Sequence, residues 1–306
     1  MIGKMSVSSS SILQIFGYCG VLTTKYLERA IELDPLSEIE KDRAFALHGE
    51  LLEKPLVKSG EARKDAWNAG WNENFNQLQN SGLEALIPRY FGKFPYVRYK
   101  GEFYGADGST ELRFLRTIIL NELEHILSNF EVQNIVEFGC GTGQNLFFLH
   151  ALLPDINFLG TDWSSQSQEI IDFAKKKLSI ENVSSLPTFD YFKPNFELSL
   201  GRNTGVITVA SLEQVGADFG KFLDYLIFAK PNFVLHIEPE EDLLNADSPF
   251  DQSSIQYMRK RGYLNGLLNE LKRREELGEI RILSAKRTDM GSFPMDGYSV
   301  MAWTPC

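Results

Sequence analysis

The sequence predicts an α/β protein: a seven-stranded, mostly parallel sheet that ends in an antiparallel hairpin and follows a helical N-terminal cap. Three observations predict it. From residue 134 onward, short β-branched runs alternate with longer amphipathic ones, the pattern of βαβ units in a parallel sheet. The last two strand-like runs, EIRILSAKR and YSVMAWT, are joined only by the turn-rich TDMGSFPMDG, and so short a link implies antiparallel pairing. Ahead of residue 110, apolar and charged residues mix at helical spacing without an alternating run.

Taken in order, residues 12–80 read as helical, with Pro35 and Pro55 as punctuation. LIPRYFGKFPYVRYKGEFYGADGS, dense in aromatics, Pro and Gly, reads as an irregular connector, which sets a division into a cap at 1–109 and a catalytic-type domain at 110–306. A helix from Thr110 to Phe130 follows, with Leu112, Leu115, Ile119 and Leu123 on one face. Strands are expected at NIVEFG, NFLGTD, VSSLPTF, GVITVAS and FVLHIEP, with helices at about 143–153, 166–178 and 218–229 between them. After the fifth strand one long helix, 252–274, precedes the terminal hairpin.

With 306 residues, 43% of them hydrophobic, the chain can bury a full core. Its net charge of −10 argues against a surface for polyanions, which needs clustered Lys and Arg. A small-molecule substrate is favoured over nucleic acid. Cys19, Cys140 and Cys306 are odd in number and lack CxxC or Cys/His spacing, so neither a disulfide framework nor a zinc site is expected, and a reducing cytoplasm fits. The first apolar patch is interrupted by Gln14, Gly17 and Gly20 and is followed by no small-residue cleavage site, so a signal peptide is not expected. No run of about eighteen apolar residues occurs, which speaks against a membrane span.

The segment NIVEFGCGTGQNLFFLH joins a buried strand, a glycine-rich turn and an apolar-faced helix. Gly139, Gly141 and Gly143 let the backbone bend and approach a ligand, and the helix start presents free N–H groups. Asp162 ends the next strand about twenty residues on, where a carboxylate can accept ribose hydroxyls. The dinucleotide fingerprint GxGxxG needs a small residue at 144, but Gln144 stands there. What is present is ExGxGxG, formed by Glu137, Gly139, Gly141 and Gly143, and this resembles motif I of the class I, Rossmann-like S-adenosylmethionine (SAM)-dependent methyltransferases. The resemblance runs from about residue 114 to the C-terminus and implies SAM as cofactor. It places Glu137, Gly139, Cys140, Gly141, Gly143 and Asn145 around the glycine loop, Asp162 on the ribose, and Trp163 against the adenine. It further places Asp190 near the adenine amino group with Tyr191 beside it, and Ser211, in ASLEQV, in the loop that meets cofactor and substrate.

Methyl transfer from a sulfonium is an in-line displacement, so alignment and exclusion of water are the protein's main tasks, and a base assists an oxygen or nitrogen acceptor. Candidates at the sheet's C-terminal edge are Glu213, either a base or a positioning group, and His236, either a base or a hydrogen-bonded core histidine. Gln214 is a candidate substrate contact, as are Tyr96, Arg98 and Tyr104 of the aromatic connector, where basic and aromatic residues interleave. The Glu238, Glu240, Glu241 and Asp242 cluster reads as a solvated loop rather than a metal site. A small-molecule or glycan-like acceptor is expected, with a NAD-linked oxidoreductase and a non-catalytic scaffold as the alternatives.

Overall fold

A computed structural model describes residues 4–306. The chain runs β1 (Met5–Val7), α1 (Ser9–Phe16), α2 (Val21–Tyr26), β2 (Ile31–Pro35), α3 (Glu38–Glu53), α4 (Lys64–Ser81), β3 (Tyr96–Tyr99), β4 (Glu102–Gly105) and α5 (Thr110–Leu127). It continues through β5 (Asn134–Phe138), α6 (Gln144–His150), β6 (Asn157–Thr161), α7 (Ser165–Leu178), β7 (Val183–Ser185), β8 (Thr204–Val209), α8 (Gly220–Ala229) and β9 (Phe233–Glu238). Last come α9 (Pro249–Arg261), α10 (Leu267–Glu276), β10 (Ile280–Lys286), β11 (Met290–Ser292) and β12 (Ser299–Pro305). Among the described residues, no helix is long and apolar enough to cross a membrane.

The main sheet has the order β10-β12-β9-β8-β5-β6-β7. Its first five strands in the chain, β5 to β9, pair in parallel, and β12 lies antiparallel between β9 and β10. The seven expected strands are thus all present, with the hairpin at one end. Strand order reverses beside β5, whose neighbours are β6 and β8, and that is where an open α/β sheet leaves a crevice outside its carboxyl ends. Alternation along β5 divides the core: Ile135 packs with the α5 and α6 side, while Val136 and Phe138 pack with the α8 and α10 side. Both faces are covered, as a parallel sheet requires.

Two expectations are corrected. The region before residue 110 is not purely helical, and the aromatic connector is not irregular: β1-β2-β4-β3-β11 form a second, antiparallel sheet. In β2 only Ile31 and Leu33 are buried, with Glu32 and Asp34 facing out, an alternation too brief to stand out from helical spacing. The β3–β4 hairpin turns on Lys100 and Gly101, both with positive φ (48° and 78°), the geometry of a two-residue turn matched to strand twist. Strand β11 comes from the supposed turn TDMGSFPMDG and pairs with β3, so residues on both sides of position 109 build this sheet. The second correction is the long helix at 252–274, which is two helices. Gly262 and Gly266 adopt left-handed conformations (φ 60° and 82°) that end α9 and start α10.

The expected substrate contacts on the connector serve this second sheet instead. Arg98 is 1% exposed and donates to Phe293 O (3.0 Å), Phe250 O (3.0 Å) and Ser253 Oγ (2.9 Å), with its guanidinium over the Phe250 ring. Burial lowers its pKa to about 10, so it remains a cation near neutrality. Tyr96 packs on the Phe293 ring, and Tyr104 packs edge-on to Tyr99 opposite Val97. The side chains of Arg98 and Tyr96 therefore clamp β3 against α9 and the segment after β11, and Tyr104 packs into the core beside Tyr99. Replacing Arg98 with Met orphans the buried Phe293 carbonyl, while Phe250 O keeps the Ser253 hydroxyl (2.7 Å), and we expect a loss of about 1–3 kcal/mol in stability. A urea midpoint left unchanged by the substitution would show that Arg98 is not the clamp.

Candidate functional site

A cleft of about 720 Å³, counted to its open mouth, lies at the carboxyl ends of β5, β6 and β8. Its floor is the turn after β5. Gly139 and Gly141 have φ of 69° and 53°, and a side chain on either would collide with the walls. A Cβ at 139 would lie 2.5 Å from Ser211 Cβ, and one at 141 would lie 2.8 Å from the Trp71 ring. Gly143, by contrast, packs against Ile171 and starts α6 without facing the cleft.

Asp162, immediately after β6, ties the floor together: its Oδ2 accepts from the Gly141 N–H and its Oδ1 from the Ser164 N–H, each at 3.0 Å. Burial pushes its pKa up to about 6, against the pull of those bonds. Glu137, on β5, accepts from Asn145 Nδ2 at 2.7 Å, and Asn145 in turn accepts from Gln144, which accepts from Arg116. The second Glu137 oxygen, Oε2, is buried and has no partner, and burial raises the carboxyl to about 8.

The walls come from β7's following loop and from the loop after β8. Phe189, Tyr191, Val209, Ala210, Ser211 and Gln214 line them. The Ser211 hydroxyl donates to Phe138 O (3.1 Å), so the Tyr191 hydroxyl is the donor in its 3.0 Å bond to Ser211. Ala210 is held at φ +46°, an uncommon conformation for a residue with a Cβ. The restraint is Glu238 at the end of β9, whose buried carboxylate accepts from the N–H groups of Ser211, Leu212 and Glu213 at 3.0–3.1 Å. Glu238 is therefore a support for the loop, and Glu240 does the same for Leu268 and Asp242. The acidic cluster is thus no solvated loop throughout: Glu238 and Glu240 are fully buried, while Glu241 pairs with Arg259.

The roof is α4 and the segment after it. Trp67 and Trp71, one helical turn apart, pack with ring centroids 5.4 Å apart and planes tilted by 30°, and both indole N–H groups are buried without partners. Thr142 Oγ1 donates to Leu86 O (2.6 Å), pinning this roof to the glycine turn, and Pro88 and Tyr90 complete it. Lys64 at the start of α4 lies over Trp163 and pairs with Asp190.

Of the residues expected to bind cofactor, Glu137, Gly139, Cys140, Gly141, Asn145, Asp162, Trp163, Tyr191 and Ser211 line this one cleft, and so does Gln214. Asp190 stands outside it, engaged with Lys64 and the Phe192 N–H. His236 is no base: its ring is wholly buried between Thr208 Oγ1 (2.9 Å) and Trp303 Nε1 (3.1 Å), and burial lowers its pKa to about 3. Because Trp303 can only donate, Nε2 is the acceptor and Nδ1 carries the proton toward Thr208. Glu213 is buried behind Gln214, from whose Nε2 its Oε1 accepts at 2.8 Å, and its Oε2 has no partner. Burial and the Glu238 carboxylate raise Glu213 to about 8. Sequence reasoning missed Gln144, Pro88, Phe189, Val209 and Ala210; the last three follow or end strands at the ligand edge, which was the available signal.

No family model matches the chain, and no curated protein matches it. Among solved structures it is similar to human N-acetylserotonin methyltransferase in complex with SAM, at 15% identity over 92% of this chain and 69% of that one, with a TM-score of 0.48. It is also similar to magnesium protoporphyrin IX methyltransferase from Synechocystis PCC 6803 with bound SAH (12% identity, 79% and 97% covered, TM-score 0.48). A third is a SAM-dependent methyltransferase from Aquifex aeolicus (15% identity, 60% and 89% covered, TM-score 0.42). Likeness at this level concerns the fold, and the activity has to be read from this chain's own cleft.

The buried carboxyls set a pH dependence. Glu137 and Glu213 at about 8, with Glu111, Glu238 and Glu240 at about 7, keep their protons in the folded chain where the unfolded chain has lost them. Stability from such raised groups is present at low pH and is lost as pH rises through the folded values. The depressed His48 and His236 act in the opposite direction only below the ordinary histidine pKa of about 6.5. The ligand-free Tm should therefore fall steadily from about pH 6.5 to pH 9, and a Tm that is flat or rising over that range would contradict these burials.

Proposed function

We propose that the chain is a SAM-dependent methyltransferase acting on an oxygen or nitrogen of a small-molecule or glycan-like acceptor. The observation that carries this is the chemistry of the lining. Among the described residues the cleft presents two carboxyls, Glu137 and Asp162, and several aromatic rings, with no Lys, Arg or His. Such a lining suits a ligand that brings positive charge, which meets the Asp162 carboxylate and π faces and favours ionisation of the Glu137 carboxyl against it. The bulk of Gln144 in the wall, where the dinucleotide fingerprint requires a small residue, disfavours the NAD-linked reading.

The residues present fit the cofactor. Glu137 Oε2, buried and unpartnered, is available to an ammonium; Asp162 is placed for ribose hydroxyls; and the indole N–H groups of Trp67 and Trp71 are free donors above the glycine turn. When bound, the cofactor supplies a methyl group on a sulfonium. The chain's contribution is to hold both reactants in line and keep water out, which the α4 roof and the Glu238-braced loop do by enclosing the floor. A scaffold role would leave a buried orphan carboxyl at Glu137 without a purpose, since such groups carry a desolvation cost. The free cysteines and the absence of a disulfide among the described residues support a reducing, cytoplasmic setting.

The proposal is tested by calorimetric titration of the purified chain with SAM, S-adenosylhomocysteine and NAD in parallel. Saturable binding of the two sulfur ligands without NAD is expected, and NAD binding alone would overturn the reading. Asp162→Ala should weaken SAM by about 1–3 kcal/mol through loss of charge-assisted bonds. Unchanged SAM affinity in that variant would remove Asp162 from the ribose.

A further inference from the structure

We infer that Arg116 is a positioning residue for the cofactor's ammonium: through the side chains of Gln144 and Asn145 it fixes which oxygen of Glu137 is left free for that ammonium. The inference rests on the methyltransferase reading and deepens it. Four side chains form one hydrogen-bonded file that ends in the cleft. Arg116 on α5 donates from Nη2 to Gln144 Oε1 (3.2 Å), Gln144 donates from Nε2 to Asn145 Oδ1 (2.7 Å), and Asn145 donates from Nδ2 to Glu137 Oε1 (2.7 Å). Gln144, Asn145 and Glu137 are buried and line the cleft, and Arg116 stands behind them. Its guanidinium is held against α6 by the Phe148 ring, 4.6 Å from the ring centroid.

The direction of this file is set at one end only. An amide can turn either its oxygen or its nitrogen to a neighbour, and a carboxyl accepts as the anion but donates as the acid, whereas a guanidinium only donates. With Arg116 fixed as the donor, Gln144 meets it with oxygen, Asn145 meets Gln144 with oxygen, and Glu137 accepts at Oε1. Any proton that Glu137 carries is thereby confined to Oε2, the oxygen without a partner. In a reversed file Asn145 Oδ1 would meet Glu137 and lock the acid's proton on Oε1 inside the wall. Oriented as it is, Glu137 gives its proton to solvent when an ammonium arrives and holds that ammonium as a carboxylate, so one proton leaves for each ammonium bound. The charged groups facing Glu137 oppose its ionisation: Asp162 after β6 and Glu238 at the end of β9 add negative charge. The Cys140 thiol and the hydroxyls of Tyr191 and Tyr90, which also face it, bring no positive charge. With the carboxyl at about 8 in the empty cleft, the Asn145 bond and the arriving cation are what ionise it near neutrality.

The test uses the full chain, S-adenosylhomocysteine and two probes that share its adenosine: decarboxylated S-adenosylhomocysteine, which keeps the ammonium without the carboxylate, and methylthioadenosine, which has neither. Calorimetry of the wild type at about pH 7 should show the ammonium probe binding at least about ten-fold more tightly than methylthioadenosine, with about one proton released, read from the heats in buffers of different ionisation enthalpy. Arg116→Met should cut that preference to about two-fold and the release to under about half a proton, because the amides are then free to turn and Glu137 keeps its proton. Arg116→Lys, which also can only donate, should restore most of both. Should Arg116→Met fail to fold, Gln144→Leu interrupts the file with Arg116 in place and is expected to show the same two losses. A preference and a proton release that Arg116→Met leaves unchanged would overturn the inference. So would a loss seen with S-adenosylhomocysteine but not with its decarboxylated form, which makes Arg116 a carboxylate contact, and so would equal weakening of both probes, which makes it a packing residue. A wild type that binds S-adenosylhomocysteine without preferring the ammonium probe overturns the inference alone, and failure of S-adenosylhomocysteine itself to bind overturns the methyltransferase reading as well.

Discussion

The site depends on buried carboxyls that satisfy backbone N–H groups where the parallel strands end. Loops at the carboxyl edge of such a sheet turn sharply and leave donors without ladder partners, and a buried donor without an acceptor is costly. This chain answers with Asp162 for Gly141 and Ser164, Glu238 for three successive residues after β8, and Glu240 for Asp242 and Leu268. The same groups that hold the loops also set the field of the cleft. Architecture and chemistry are coupled through them, because removing a carboxyl loosens a wall and changes the charge presented to a ligand.

The second sheet gives the first its roof. Strand β3 is clamped by Arg98 to α9 and to the segment behind β11, and Arg287 bridges Asp251 and Asp296 across the same junction. From this base the chain leads back through Tyr90 and Leu86 to α4, whose two tryptophans overhang the glycine turn. An open α/β sheet exposes its ligand edge, and here enclosure is provided by elements from the first third of the chain packed against its last fifth.

Roles assigned from residue type alone fared unevenly, and burial explains the difference. His236 had the right intrinsic pKa for a base, but in the sheet interior with both nitrogens engaged it is a fixed, neutral packing element. Arg98 was a candidate substrate contact and is a structural cation, because its donors find backbone carbonyls before they find a ligand. Glu213 moved in the opposite direction, from one candidate among several to a buried acid with a free oxygen next to the cleft.

By itself the sequence determined the main sheet and its cofactor edge. Strand alternation, the ExGxGxG turn and Asp162 at the end of the second strand are local patterns whose geometry follows from neighbours within a few residues. It also placed the terminal hairpin, since a short link between two strands admits little else. Only the tertiary structure decided the second sheet, whose strands of three to five residues derive their pairing from partners as distant as β3 and β11. The same holds for which polar groups are left unpartnered, and so for what the cleft is made to receive. Hydrogen-bond satisfaction and desolvation are properties of everything surrounding an atom, and that surrounding is assembled from the whole chain at once.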